Sequence, residues 1–227
     1  AELTDWLLYG LVDFDFLCES LLPLQYTASV DGKLHVGEMA YDAVLVPSCD
    51  TLRSTTLDAL ERFAAHGGRV LFTGEPPRLT DALPSTRPGA LAQIVERICF
   101  DRDALLGALE PVRELDIRTP QGERSDNLIY QMRDDGADRW LFVCHVRPPV
   151  SLDDPPAEQY LISIPGGWKV TCFDTMTGEI SSQSAAFDGD KTCLEWNCFC
   201  HDSLLLRLSA VDIASPDGGG KEESAPH

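Results

Sequence analysis

The chain has 227 residues, 44% hydrophobic and 24% charged, which suits one large globular domain or two small ones and excludes a disordered chain. A formal net charge of -19 repels phosphate backbones and anionic lipid, so neither nucleic acid nor a membrane is expected as a partner. The start, Ala1-Glu2-Leu3-Thr4-Asp5, has no basic signal-peptide region, and no apolar run approaches membrane-spanning length. These features point to a cytoplasmic protein, and the missing initiator Met points to a piece of a longer polypeptide.

The first half alternates strands and helices. Phe14 to Cys18 is a short apolar run that reads as a strand, and Asp31-Gly32 marks a turn before a short arm, Lys33 to Val36. Tyr41 to Pro47 is the clearest strand; its unbroken Ala-Val-Leu-Val run suits a parallel strand covered on both faces. A helix follows, capped by Ser54 or Asp50, with Leu57, Leu60, Phe63 and Ala64 on one face, and it stops at His66-Gly67-Gly68. Arg69 to Gly74 resumes as a buried strand and completes a βαβ unit. Two helical stretches lie around Ala90 to Ile98 and Arg102 to Leu109.

The second half changes to strand periodicity. Leu128 to Arg133 and Arg139 to Val146 form a hairpin around a glycine-bearing loop. Further strands are expected at Gln159 to Ile164, Trp168 to Asp174, Glu179 to Phe187, Thr192 to Asn197 and Ser203 to Leu208. The fold class is therefore α/β plus all-β: a flavodoxin-like parallel sheet over residues 1–115, an antiparallel β-sandwich over 116–212, and a flexible tail over 213–227.

Of eight cysteines, most sit in apolar runs such as Ile98-Cys99-Phe100, so they read as buried thiols in a reducing compartment. Cys198 and Cys200 alternate along one strand face with His201 next door, but no second ligand pair has zinc spacing, so no metal is expected. No phosphate-binding motif is present, and no cofactor is expected.

In a doubly wound sheet, ligands bind beyond the carboxyl ends of the parallel strands, which makes Glu19, Ser48 and Glu75 candidate ligand-binding residues. Cys49 stands between a strand and a helix, where a nucleophile could sit. Its neighbours argue otherwise: Pro47, Ser48 and Asp50 replace the small residues of a nucleophile elbow, and a carboxylate alongside disfavours a thiolate. The structural reading, a partly buried thiol, is preferred. Paired aspartates (Asp13/Asp15, Asp134/Asp135, Asp153/Asp154, Asp188/Asp190) read as turn and surface residues, because glycosidase carboxyls must face one bond from separate strands. Trp140 and Trp168 are candidate sugar platforms.

An ordered series of segments resembles a known family. Phe14-Asp15-Phe16-Leu17, Gly32-Lys33-Leu34, Tyr41 to Pro47, Thr55 to Phe63, Gly67-Gly68-Arg69-Val70 and Gly74-Glu75-Pro76-Pro77 are similar to the class I glutamine-amidotransferase-like domain of multidomain glycoside hydrolases. The likeness is to the α-L-rhamnosidase-like enzymes above all, and a similar domain assists trimer formation in some β-galactosidases. Trp168 with Phe173 to Glu179, and Asp202 to Leu208, resemble the β-sandwich that follows it there. The resemblance implies an amidotransferase-like domain that has lost its nucleophile, and a catalytic barrel upstream in the same polypeptide that holds the catalytic carboxylates. It implies a non-catalytic accessory region for carbohydrate metabolism, with a homo-oligomer or a carbohydrate as further partners. The alternatives are a cysteine hydrolase or amidotransferase-like enzyme using Cys49, and a carbohydrate-binding module.

Overall fold

The computed structural model describes residues 2–147 and 157–211. The chain divides into two units, the first ending at Glu114 and the second beginning at Leu115. The Asp153/Asp154 pair and the expected tail lie outside the described residues.

The first unit opens with α1 (Glu2–Tyr9), α2 (Leu22–Gln25) and a small antiparallel sheet of β1 (Tyr26–Val30), β2 (Lys33–Val36) and β3 (Met39–Tyr41). Val30 pairs with Lys33 across Asp31-Gly32. Both turn residues have positive φ, 51° and 72°, as the tightest hairpin turns require. Then come β4 (Ala43–Val46), β5 (Thr51–Leu52), α3 (Ser54–Ala65), β6 (Arg69–Thr73), β7 (Leu79–Thr80), β8 (Leu83–Pro84), α4 (Arg87–Ile94), β9 (Glu96–Ile98) and α5 (Arg102–Leu109).

β4, β6 and β9 form a parallel sheet with β6 in the middle. Alternate residues of β6 face opposite ways: Val70 and Phe72 pack with Leu57, Leu60 and Phe63 of α3, while Leu71 packs with Leu7 of α1 and Leu105 and Leu109 of α5. Helices on both faces explain why the strand reads as one apolar run instead of alternating. Phe63 and Leu57 are fully buried; each stabilises the fold by about 1.5–3 kcal/mol. The parallel sheet is smaller than a flavodoxin-like domain calls for, with three strands among the described residues.

Three local expectations need correction. Residues 12–18 form no strand: Phe16 is 82% exposed, Phe14 stacks edge-on against it at 5.5 Å, and the Tyr41 hydroxyl donates to Asp15 at 3.0 Å. A short apolar run does not reveal whether a sheet edge is free to receive it. The helix expected to reach Ile98 ends at Ile94, and Glu96 to Ile98 pair with β6 instead. Neither Ser54 nor Asp50 caps α3. The Arg53 N–H donates to Glu19 Oε2 at 2.8 Å and the Ser54 N–H to Asp81 Oδ1 at 3.1 Å, so carboxylates distant in sequence satisfy the positive end of the helix.

The second unit is antiparallel throughout. β10 (Asp116–Arg118), β11 (Leu128–Asp135), β12 (Asp138–His145), β13 (Glu158–Pro165), β14 (Trp168–Phe173), β15 (Ile180–Ser182), β16 (Ala186–Asp188), β17 (Lys191–Cys198) and β18 (Ser203–Ala210) make two sheets, ordered β10-β13-β17-β16 and β11-β12-β18-β14-β15. Each buries alternate residues: Tyr160, Ile162 and Ile164 of β13 with Leu194 and Trp196 of β17 in one, Leu141 and Val143 of β12 with Leu204, Leu206 and Leu208 of β18 in the other. The strand expected from Glu179 to Phe187 is two strands. β15 pairs with β14 and β16 with β17, so the chain changes sheets between Ser182 and Ala186. The Asp174 to Glu179 segment is a turn: Asp174 Oδ1 accepts from the Met176 and Thr177 N–H groups at 2.8 and 2.7 Å, which holds its carboxyl below the usual range.

Candidate functional site

The carboxyl ends of β4, β6 and β9 deliver Pro47 to Asp50, Gly74-Glu75 and Cys99-Phe100 to one edge of the first unit. Gly74 has φ +76°, and a Cβ there would stand 3.6 Å from the Ser48 Cβ, so these two turns pass side by side. Ser48 lines an open depression of about 500 Å³ with Glu2, Leu3, Pro47 and Phe100. That lining pairs no base with a nucleophile. Glu19 lies elsewhere, in a depression of about 340 Å³ with Thr51, Leu52, Arg53, Asp81 and Ala82, where its carboxylate caps α3. Glu75 is 79% exposed and sits 3.4 Å from Arg97. The structure therefore does not gather Glu19, Ser48 and Glu75 into one pocket.

Cys49 is half-buried and packs on the α3 side of the sheet. Burial pushes its thiol up, the carboxylates of Glu19 and Asp50 push it further, and a hydrogen bond from the Thr51 backbone only partly opposes them. No described histidine hydrogen-bonds to it: His66 Nδ1 lies 2.7 Å from the Arg62 carbonyl at the end of α3, and His35 sits mid-strand opposite Ala28 and Ala40. A protonated thiol without a base is not poised for nucleophilic attack.

The thiol whose pKa is drawn down lies elsewhere. Cys18 is exposed, 3.1 Å from the Ser20 hydroxyl. That hydroxyl first, then the backbone at Ser20 and Leu21, and least of all the Arg53 charge, draw its pKa below the ordinary thiol value. Reading residues 14–18 as an apolar strand hid this thiol; its only local signal is the Cys-x-Ser spacing. The expectation of mostly buried cysteines also fails. All eight are free, Cys198 is buried, Cys18 and Cys99 are exposed, and the rest are intermediate. Lying in an apolar run does not decide on which side of its backbone a residue falls.

Among the tryptophans, Trp196 is core, 9% exposed and near Tyr160. Trp168 folds back on its own turn: its indole N–H donates to the Pro165 carbonyl at 2.6 Å, and the ring would lie 3.0 Å from a Cβ at Gly166. Trp140 stands on the other face of β12 from buried Leu141, between Arg133 and Arg207 on the flanking strands. It packs against Phe173 at 5.1 Å and donates to Asp135 Oδ2 at 3.3 Å. Among the paired aspartates, Arg139 holds Asp134 at 2.6 Å and Asp15 accepts from the Tyr41 hydroxyl at 3.0 Å. Among the described residues no helix is long and apolar enough to cross a membrane.

No family model matches the chain, and no curated protein matches it in sequence. By fold it is similar to part of a rhamnosidase from Novosphingobium sp. PP1Y, with a TM-score of 0.61 and 13% identity over 92% of this chain and 21% of that one. It is similar too to alpha-L-fucosidase isoenzyme 2 from Paenibacillus thiaminolyticus, with a TM-score of 0.54 and 11% identity over 92% of this chain and 44% of that one. An exo-carrageenase from Bacteroides ovatus matches with a TM-score of 0.50 and 13% identity over 92% of this chain and 26% of that one. The chain thus spans less than half the length of each, and at these identities the likeness is one of fold.

Proposed function

We propose that this chain is a non-catalytic accessory region of a glycoside hydrolase, serving architecture or subunit contact. The single observation that supports it most is that 92% of the chain matches one fifth of a rhamnosidase, as a part matches a whole. The first unit then corresponds to an amidotransferase-like domain and the second to a β-sandwich. Of the two carboxylates that raise the Cys49 pKa, Glu19 and Asp50, Glu19 is engaged as a helix cap. On this reading the bond-breaking carboxylates belong to a barrel elsewhere in the same polypeptide, and a homo-oligomer is a natural assembly. The purified chain should leave aryl α-L-rhamnosides, α-L-fucosides and β-D-galactosides intact. Turnover above the buffer rate, lost on substitution of a carboxylate in this chain, refutes the proposal.

One observation favours a second reading, carbohydrate contact at Trp140. Phe142, Leu205, Phe173 and Ile180 pair in a row across four strands beside Trp140, Arg133 and Arg207, and Phe142 and Ile180 are 38% and 62% exposed. An indole flanked by guanidinium groups offers a stacking surface for a sugar ring. Titration with millimolar rhamnosides and galactosides should then change the tryptophan fluorescence of the native chain and not of Trp140→Ala.

A further inference from the structure

We infer that the β17–β18 turn and the end of β12 form a zinc-binding site made by His145, Cys200 and His201. The inference stands independently of the accessory role. The ligand atoms of these three side chains lie within 4.8 Å of one another, and no other such group of three occurs among the described residues. Spacing concealed it, because His145 enters from a strand 55 positions before Cys200. Cys198 and Cys200 do not share a strand face after all: β17 ends at the buried Cys198, whose S–H donates to the Phe199 carbonyl at 3.3 Å, while Cys200 sits in the turn.

The surroundings of His145 leave its Nδ1 side poorly matched by hydrogen bonds and turned toward the other two ligands. Its side chain is 3% exposed. Asn127, held by the Arg147 N–H donating to Oδ1 at 2.9 Å, presents its amide nitrogen to Nε2 at 2.7 Å. Nδ1 faces the turn, 3.3 Å from the His201 backbone nitrogen. A neutral imidazole has one lone pair, yet a donor faces each of its nitrogens, so hydrogen bonds alone leave the ring unsatisfied. The long contact on the turn side is the weaker one, and a cation placed there takes the Nδ1 lone pair. Nε2 then carries the proton, so loading requires the Asn127 amide to turn its oxygen to the ring and give up the bond from the Arg147 N–H; Glu158 Oε1 stands 3.7 Å away on the same side.

The donor set selects the ion. One thiolate and two imidazoles suit zinc and disfavour calcium or magnesium, which take oxygen ligands. Tetrahedral zinc holds its ligand atoms roughly 3.3 to 3.8 Å apart, so the site closes by about 1 Å on loading. The movement falls on the turn, where Cys200 is half-buried and His201 exposed. His201 already adopts φ 60°, which fixes the turn's reversal. Three protein donors leave one position for solvent, and loading releases the Cys200 thiol proton to solvent.

The test uses the full 227-residue chain, stripped with chelator and titrated with zinc against a chromophoric competitor. One equivalent should bind at micromolar affinity or tighter, and cobalt in its place should show thiolate-to-metal absorption. Cys200→Ser and His201→Asn should each weaken zinc at least about tenfold with the circular dichroism unchanged. Asparagine is chosen because it accepts the left-handed backbone, and buried His145 is left intact because its loss endangers the fold. The Cys18→Ser/Cys49→Ser double variant should bind as the native chain does. Absence of stoichiometric zinc, or a loss smaller than tenfold in either turn variant, overturns the inference.

Discussion

Alkylating the folded chain with iodoacetamide at pH 7 tests the disarmed turn after β4 at the level of single sulfurs. An ordinary thiol of pKa about 8.5 is about 3% thiolate at that pH, and only the thiolate reacts. Burial and the Glu19 and Asp50 carboxylates raise the Cys49 pKa, whereas the Ser20 hydroxyl and nearby backbone lower that of Cys18, so Cys18 carries the larger thiolate fraction. Exposure acts in the same direction, since Cys18 is open and Cys49 half-buried. Peptide mapping of timed samples should therefore show Cys18 modified faster than Cys49 by on the order of tenfold or more. Asp50→Asn removes one opposing charge and should speed Cys49 only modestly, because burial is the leading cause of its raised pKa. Modification of Cys49 as fast as Cys18 in the native fold, verified by circular dichroism, would refute the argument and revive a cysteine enzyme.

Three further outcomes follow from the packing. Arg113 is 4% exposed and donates from Nη1 to the Gly10 and Leu11 carbonyls at 2.7 Å each, clamping the end of α1 where Leu11 takes φ 55°. Arg113→Ala should cost roughly 2 kcal/mol, the lower range for charge-assisted bonds because Nη2 is buried without a partner; a urea midpoint within error of native contradicts this. Gly68→Ala puts a Cβ 2.1 Å from the ring of Phe63 and should destabilise by about 1–3 kcal/mol, which thermal unfolding reads directly. Burial alone would raise Asp116, but the Arg124 and Arg118 guanidinium groups at 2.7 and 2.6 Å outweigh it and hold the carboxyl below its ordinary value. Its contribution is whole above about pH 4, where both states are ionised, and is lost as pH falls through the depressed folded value. Asp116→Asn should flatten the acid limb of the stability curve, and an unchanged limb counts against the pairing.

Much of this architecture was legible in the chain because its signals are local. The Ala43 to Val46 and Arg69 to Thr73 runs are continuous because helices cover both faces, and the α3 stripe of Leu57, Leu60 and Phe63 repeats at helical spacing. Gly67 and Gly68 were read together as a helix stop, yet they do different things. Gly67 supplies the left-handed φ of 80°, while Gly68 makes room for an aromatic ring. The first need belongs to the backbone, the second to a neighbour that only folding brings close.

The same division runs through the candidate sites. Periodicity and turn chemistry, which depend on residues a few positions apart, determined the βαβ unit from Ala43 to Thr73 and the change from α/β to antiparallel strands. Tertiary structure decided what each polar group meets: Glu19 at the Arg53 amide 34 positions away, Cys18 in the open, and His145 beside Cys200 and His201. The reactivity of a thiol, carboxylate or imidazole is set by charges and donors within a few ångströms. Those neighbours come from distant segments, whose meeting no local pattern records.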